Sequence, residues 1–120
     1  MPSLDAKALD SPDETRTFEN GRVEVVRVGD ASVGRAVFQP GWRWSNDVKP
    51  LAGTESCQSH HLGYVISGQL KVVHDDGTEA EVGPGSAYVI TPGHDAWVVG
   101  DEEFIALEFD TKTAATYAKQ

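Results

Sequence analysis

From Arg22 onward the chain alternates apolar and polar residues over a few positions and then breaks at a turn, again and again. This rhythm constrains the fold more than any other feature. RVEVVRV at 22–28 alternates with period two, GDAS at 29–32 supplies turn residues and VGRAVF resumes a strand, which is the pattern of a hairpin ended by Pro40-Gly41. After WRWS at 42–45, the stretch NDVKPLAGTES carries Pro50, Gly53 and polar residues and reads as a loop. HLGYVIS and QLKVVH then flank Gly68, DDGT at 75–78 turns into EAEV, and GPGSAYVITPG at 83–93 holds a further strand between Gly-Pro turns, with AWVVG and FIALEF behind it. Successive side chains of a strand point to opposite faces, so each short segment has one face to bury against another sheet. Many short strands with regular turns predict an all-β sandwich or barrel.

At 120 residues the chain amounts to about one domain. The polar opening, residues 1–21, reads as an arm, residues 22–110 as the β body, and the tail 111–120, TKTAATYAKQ, carries the only helical suggestion. Ten basic against 19 acidic residues give a net charge of −9, which speaks against nucleic acid and anionic membrane surfaces as partners, because both select a basic footprint. A single cysteine excludes an internal disulfide, and residues 1–20 lack the apolar run of a signal peptide or membrane anchor. A cytoplasmic, reducing setting is expected. There is no P-loop, no dinucleotide-binding glycine fingerprint and no nucleophile elbow.

FQPGW, HLGYVISGQLKV, DDGTEAEVGPGSAYVITPG and FIALEF follow one another in an order and spacing that resemble the two sequence motifs of the cupins, a superfamily of small jelly-roll β-barrels. The resemblance covers about residues 22–110. It implies a barrel around a divalent metal, small-molecule chemistry or binding, and pairing into homodimers through the sheets, with the strand edge near residues 22–28 as the place for a partner. The first motif is His-x-His followed by Glu and then Gly. Anchored on Gly68, it sets Glu55 and Cys57 at the histidine positions and His61 at the glutamate. Anchored on Gly85 and Gly93, the second motif has Ala96 where a histidine ligand belongs.

Glu55, Cys57 and His61 are all metal-ligand types and share one parity along a strand, so they can face the same side, whereas His60 should point away. One carboxylate, one thiolate and one imidazole suit zinc best, with iron or nickel as alternatives. The other reading of the three is a satisfied polar cluster inside the barrel of a metal-free binding or sensing module, and a lone cysteine is more often a small buried hydrophobe than a ligand. Trp44, ahead of the loop, and Trp97, after Ala96, are candidates for the mouth of a small-molecule pocket, together with His94 reaching in from its turn. The alternative for the tryptophans is plain core filling. The fold alone does not select a reaction class.

Overall fold

The computed structural model describes residues 3–109; the helical suggestion in the tail falls outside them. Among the described residues nine strands are formed: β1 (Glu14–Phe18), β2 (Gly21–Val28), β3 (Ala31–Phe38), β4 (His61–Ser67), β5 (Gln69–His74), β6 (Glu79–Val82), β7 (Ala87–Ile90), β8 (His94–Val99) and β9 (Phe104–Glu108). They build a six-stranded sheet in the order β1-β2-β3-β9-β4-β7 and a three-stranded sheet in the order β6-β5-β8, and every pairing is antiparallel. No ladder between the described strands joins the two sheets, so they face each other as an open two-layer structure rather than a closed barrel.

The period-two pattern sets which side chains meet between the layers. On β4, His61, Gly63 and Val65 are buried, while Leu62, Tyr64 and Ile66 face out. On β8, His94, Ala96 and Val98 point in, and on β9 Phe104, Ala106 and Glu108 do the same. Val23, Val25, Ala36 and Phe38 of the larger sheet share one core with Leu70, Val72, Ala96 and Val98 of the smaller. Burying a valine, leucine or phenylalanine side chain contributes about 1.5–3 kcal/mol each. Phe38 stacks on Trp42 with ring centroids 3.9 Å apart and an interplanar angle of 9°, which adds about 0.5–1.5 kcal/mol beyond the area covered.

Besides β1, which forms inside the stretch read as a polar arm, two regions differ from the sequence reading. The stretch expected as a loop holds two single-turn helices, α1 (Trp44–Asp47) and α2 (Lys49–Ala52). Asp47 reaches back to accept the Arg43 N–H at 2.9 Å, Pro50 sits in the first turn of α2, and Gly53 closes it in the left-handed conformation at φ 73°. These are local capping effects that no side-chain periodicity announces in so short a segment.

The second difference concerns residues 22–28. Over residues 21–25 that edge is covered, because β1 pairs along β2 from Glu14↔Val25 to Phe18↔Gly21. The segment before β1 is also tied to the β2–β3 hairpin: Asp5 accepts from the Gly29 N–H, Asp10 pairs with Arg35, and Asp13 accepts from the Arg27 N–H. A partner strand therefore cannot add along residues 21–25 of β2.

Candidate metal centre

Cys57 lies outside the regular strands, yet its position is tightly defined. It forms an isolated antiparallel bridge with His94, in which the Cys57 N–H donates to the His94 carbonyl at 2.7 Å and the His94 N–H returns a bond at 3.2 Å. Directly opposed residues of an antiparallel pair project to the same face, so this bridge sets thiol and imidazole side by side. His61, the first residue of β4, adds its Nε2 at 3.8 Å from Cys57 Sγ. One donor atom from each of Cys57, His61 and His94 lies within 4.8 Å of the others, and all three residues are buried.

Both imidazoles are held by their other nitrogen. His61 Nδ1 is 2.5 Å from Glu108 Oε1, and His94 Nδ1 donates to the Thr91 carbonyl at 2.9 Å. An acceptor on Nδ1 selects the tautomer whose Nε2 lone pair faces inward, the arrangement that metal-binding histidines use. Glu108 is in turn hydrogen-bonded by the Tyr88 hydroxyl. Gly63 makes that contact feasible: it pairs with Tyr88 on one side and with Glu108 on the other, and a Cβ there would come within 2.5 Å of Tyr88 and 2.6 Å of Glu108 Oε2. The glycine serves close side-chain approach.

The electrostatics follow from this packing. Burial alone would push the Cys57 thiol up, but hydrogen bonds from His61 and then His94 outweigh it and hold the thiol down at about 6. For His61, burial disfavours the cation, and the Glu108 carboxylate and the Cys57 sulfur overcome that and raise it to about 10. Without an ion at the centre, the cluster is a thiolate–imidazolium pair backed by a carboxylate.

Glu55 is not part of this cluster. The backbone bends through residues 54–56, so the strand parity assumed in the sequence does not run from Glu55 to Cys57. Glu55 faces solvent and pairs with Lys49 at 3.0 Å, while Ser56 turns inward to donate to Asp75 at 2.7 Å. His94 takes the third place instead. It stands one inward position before Ala96 on β8, so the group missing at residue 96 has a counterpart two residues earlier on the same face. Equal parity of His94 and Ala96 was the available signal. Glu108 belongs to neither motif, although the alternation of FIALE puts it on the inward face of β9.

A cavity opens beside the cluster, lined by His61, His94, Glu108 and Tyr88 and by the apolar walls of Trp42, Trp44, Phe38 and Ala96. Trp44 is thus at the cavity. Trp97 is not: it has the opposite parity to Ala96 and lies on the outer side of β8, where the Arg43 guanidinium sits 4.3 Å from its ring centroid. His60 is exposed, and His74 bonds Thr91 and the Pro92 carbonyl at the other end of β5.

No family model matches the chain, and no curated protein matches it in sequence. Solved structures do. Oxalate decarboxylase from Bacillus subtilis, as an S161A mutant, superposes with a TM-score of 0.62 at 16% identity over 92% of this chain and 30% of that one. Oxalate decarboxylase from Lactobacillus farciminis, in its formate complex, gives 0.57 at 22% identity over 82% of this chain. The chain spans under a third of either enzyme, 31% and 30%. KdgF from Halomonas sp. matches with a TM-score of 0.55 at 21% identity over 82% of this chain and 86% of that one. A cupin-like protein from Thermotoga maritima gives 0.56 at 16% identity over 88% and 82%. Two facing antiparallel sheets, the side chains that converge between them and these neighbours together establish that the chain has the cupin fold.

Proposed function

We propose that this protein binds one divalent metal ion, zinc, through Cys57 Sγ, His61 Nε2 and His94 Nε2, and holds a small organic molecule in the adjoining cavity. The observation that carries this reading is the paired restraint of the two imidazoles: Glu108 on His61 Nδ1 and the Thr91 carbonyl on His94 Nδ1 leave both Nε2 atoms as ligands. Ligands of a tetrahedral zinc ion stand about 3.6 Å apart for a sulfur–nitrogen pair, from Zn–S near 2.3 Å and Zn–N near 2.0–2.1 Å. The 3.8 Å between Cys57 Sγ and His61 Nε2 needs only a slight contraction to meet that. Soft sulfur with two imidazoles favours zinc over the oxygen-seeking cations.

Three protein donors leave a coordination position for a water or a ligand atom, and zinc in such a site polarises a carbonyl or acidifies water. The chain's own groups do the rest. Glu108 orients His61 and keeps its Nδ1 proton, Tyr88 holds Glu108 in place, and the aromatic walls exclude bulk water. Elemental analysis of protein purified without tags or chelators tests this: about one equivalent of zinc, lost in both Cys57→Ser and His61→Ala, is the expected result. Folded protein that carries no metal and refuses reloading overturns it.

A second reading, a metal-free binding module, has one observation in its favour: Cys57 and Glu108 both contact the His61 ring, so each polar group of the cluster has a partner without an ion.

A further inference from the structure

Among the described residues, the exposed large apolar side chains other than Leu4 all fall on β4, on β7 or at the residue that follows β9. Val89 is 60% exposed, and Leu62, Tyr64, Ile66 and Phe109 lie between 43% and 47%. The register joins them. Leu62 is opposite Val89 across β4 and β7, the Phe109 N–H donates to the Leu62 carbonyl from the other side, and Tyr64 is opposite Leu107 of β9. Opposed residues of antiparallel strands carry their side chains on one face, about 4.5–5.5 Å apart. These residues therefore form one continuous patch on the outer side of the larger sheet, behind His61 and Glu108.

The other half of that outer side is closed. Val26 on β2 and Val37 on β3 have the outward parity too, yet they are 2% and 1% exposed, and the segment before β1 is tied to this half by the Asp10–Arg35 ion pair. On β4 and β7 roughly 500 Å² of apolar surface stays open, at the upper end of the 300–600 Å² or so that the largest patch of a monomer shows. Closing two such faces on each other, with their rims, removes about 1,000 Å² or more, the size at which an interface becomes specific.

The character of the patch selects its occupant. No outward residue of β4, β7 or β9 is an aspartate, glutamate, lysine or arginine, so a charged partner finds no counter-charge here, whereas an uncharged patch complements itself. The chain's own end, DTKTAATYAKQ at 110–120, has Tyr117 as its one large apolar residue and carries two lysines and an aspartate, too little to bury five large side chains. We infer that a second copy of this chain docks on this face, the outer sides of β4, β7 and β9 packing against their equivalents across a two-fold axis. This is independent of the metal reading, because none of the proposed ligands contributes to the patch.

Sedimentation velocity of the full chain from about 1 to 500 µM, the span in which a small interface dissociates, is the test. The mass should rise from 12.9 kDa to twice that, and added salt should strengthen the association, since it screens the repulsion between two chains of charge −9 without touching the apolar contact. Leu62→Lys and Val89→Lys should each raise the dissociation constant by about 100-fold, because each change enters a two-fold interface twice. Thr17→Lys, exposed on β1, should leave it unchanged.

A chain that stays at 12.9 kDa throughout overturns the inference and leaves the patch to another occupant; a dimer that both lysine variants preserve overturns it in favour of another surface. Should the variants not fold, NMR on a mixture of isotope-labelled and unlabelled unmodified protein still decides. Contacts between the Tyr64 ring of one copy and the Leu62 or Val89 methyl groups of the other are expected, and a dimer without them refutes this interface.

Discussion

Replacing Glu108 with glutamine leaves the shape of the side chain and removes its charge, so it tests whether the carboxylate behind His61 serves the proposed metal. The contact is short, 2.5 Å from His61 Nδ1, and both partners are buried. Losing such an outer-shell partner typically costs 10–100-fold in metal affinity, which is about 1.4–2.7 kcal/mol. A ligand that binds only the folded state stabilises it by RT ln(1 + L/Kd), where L is the free ligand concentration. At a fixed zinc concentration well above Kd, the zinc-dependent part of the stability should therefore fall by the same 1.4–2.7 kcal/mol or so. For a domain of this size that is a loss of about 5–10 °C from the zinc-induced rise in Tm.

The assay is a pair of thermal melts, with zinc and with chelator, for each protein. Subtracting the two melts removes whatever the substitution does to the metal-free fold. Tyr88→Phe should show the same effect at smaller amplitude, because Tyr88 donates to the Glu108 carboxylate that holds His61. An unchanged zinc increment in Glu108→Gln would falsify the claim that Glu108 positions a metal ligand.

Three further outcomes follow from particular contacts. Gly63→Ala should drive a methyl group into Tyr88 and Glu108, destabilise the fold by about 1–3 kcal/mol as overpacking does, and weaken zinc binding; chemical denaturation and a competition titration with a chelator read the two effects, and a change in stability alone would mean that the Tyr88–Glu108 contact is irrelevant to the ion. Ala96→His adds a donor one inward position from His94 and should tighten zinc by about tenfold or more, ~1.4 kcal/mol, in the same titration; no gain would place residue 96 out of reach of the ion. Glu14 is held from 4.5 down to about 2, chiefly by its hydrogen bond to Arg16 at 2.6 Å and also by Arg27. Its folded-state pKa is depressed, so its contribution is complete above pH 4.5 and is lost as the pH falls toward about 2. Its carboxylate is about a third exposed, which limits the contribution to about 1 kcal/mol; Glu14→Gln should flatten the acid limb of a stability-against-pH curve by that amount, and an unaltered limb would refute the pairing.

Most strands and their inward faces are legible in the amino-acid order, although β1 lies within the stretch read as a polar arm. Alternation is a local property: once HLGYVIS is a strand, His61, Gly63 and Val65 must share a face, and once AWVVG continues from His94, Ala96 and Val98 must follow it. The same local rule failed wherever the backbone leaves the extended state. It carried Glu55 across the bend at 54–56 into a site that the residue does not reach, and it gave no hint of α1 and α2, whose turns depend on Asp47 and Pro50 rather than on a periodic face.

Which inward side chains meet depends on the pairing of distant strands. Glu108 is 47 residues from His61 in the chain and becomes its neighbour through the pairing of β9 with β4. Cys57 acquires His94 as its partner through a single bridge between two segments that no motif connects. Trp97 shows the converse: it follows Ala96 directly, yet the pleat turns it to the opposite side of β8, beneath Arg43. Parity along a strand is written residue by residue, whereas register between strands depends on how the whole chain closes on its core.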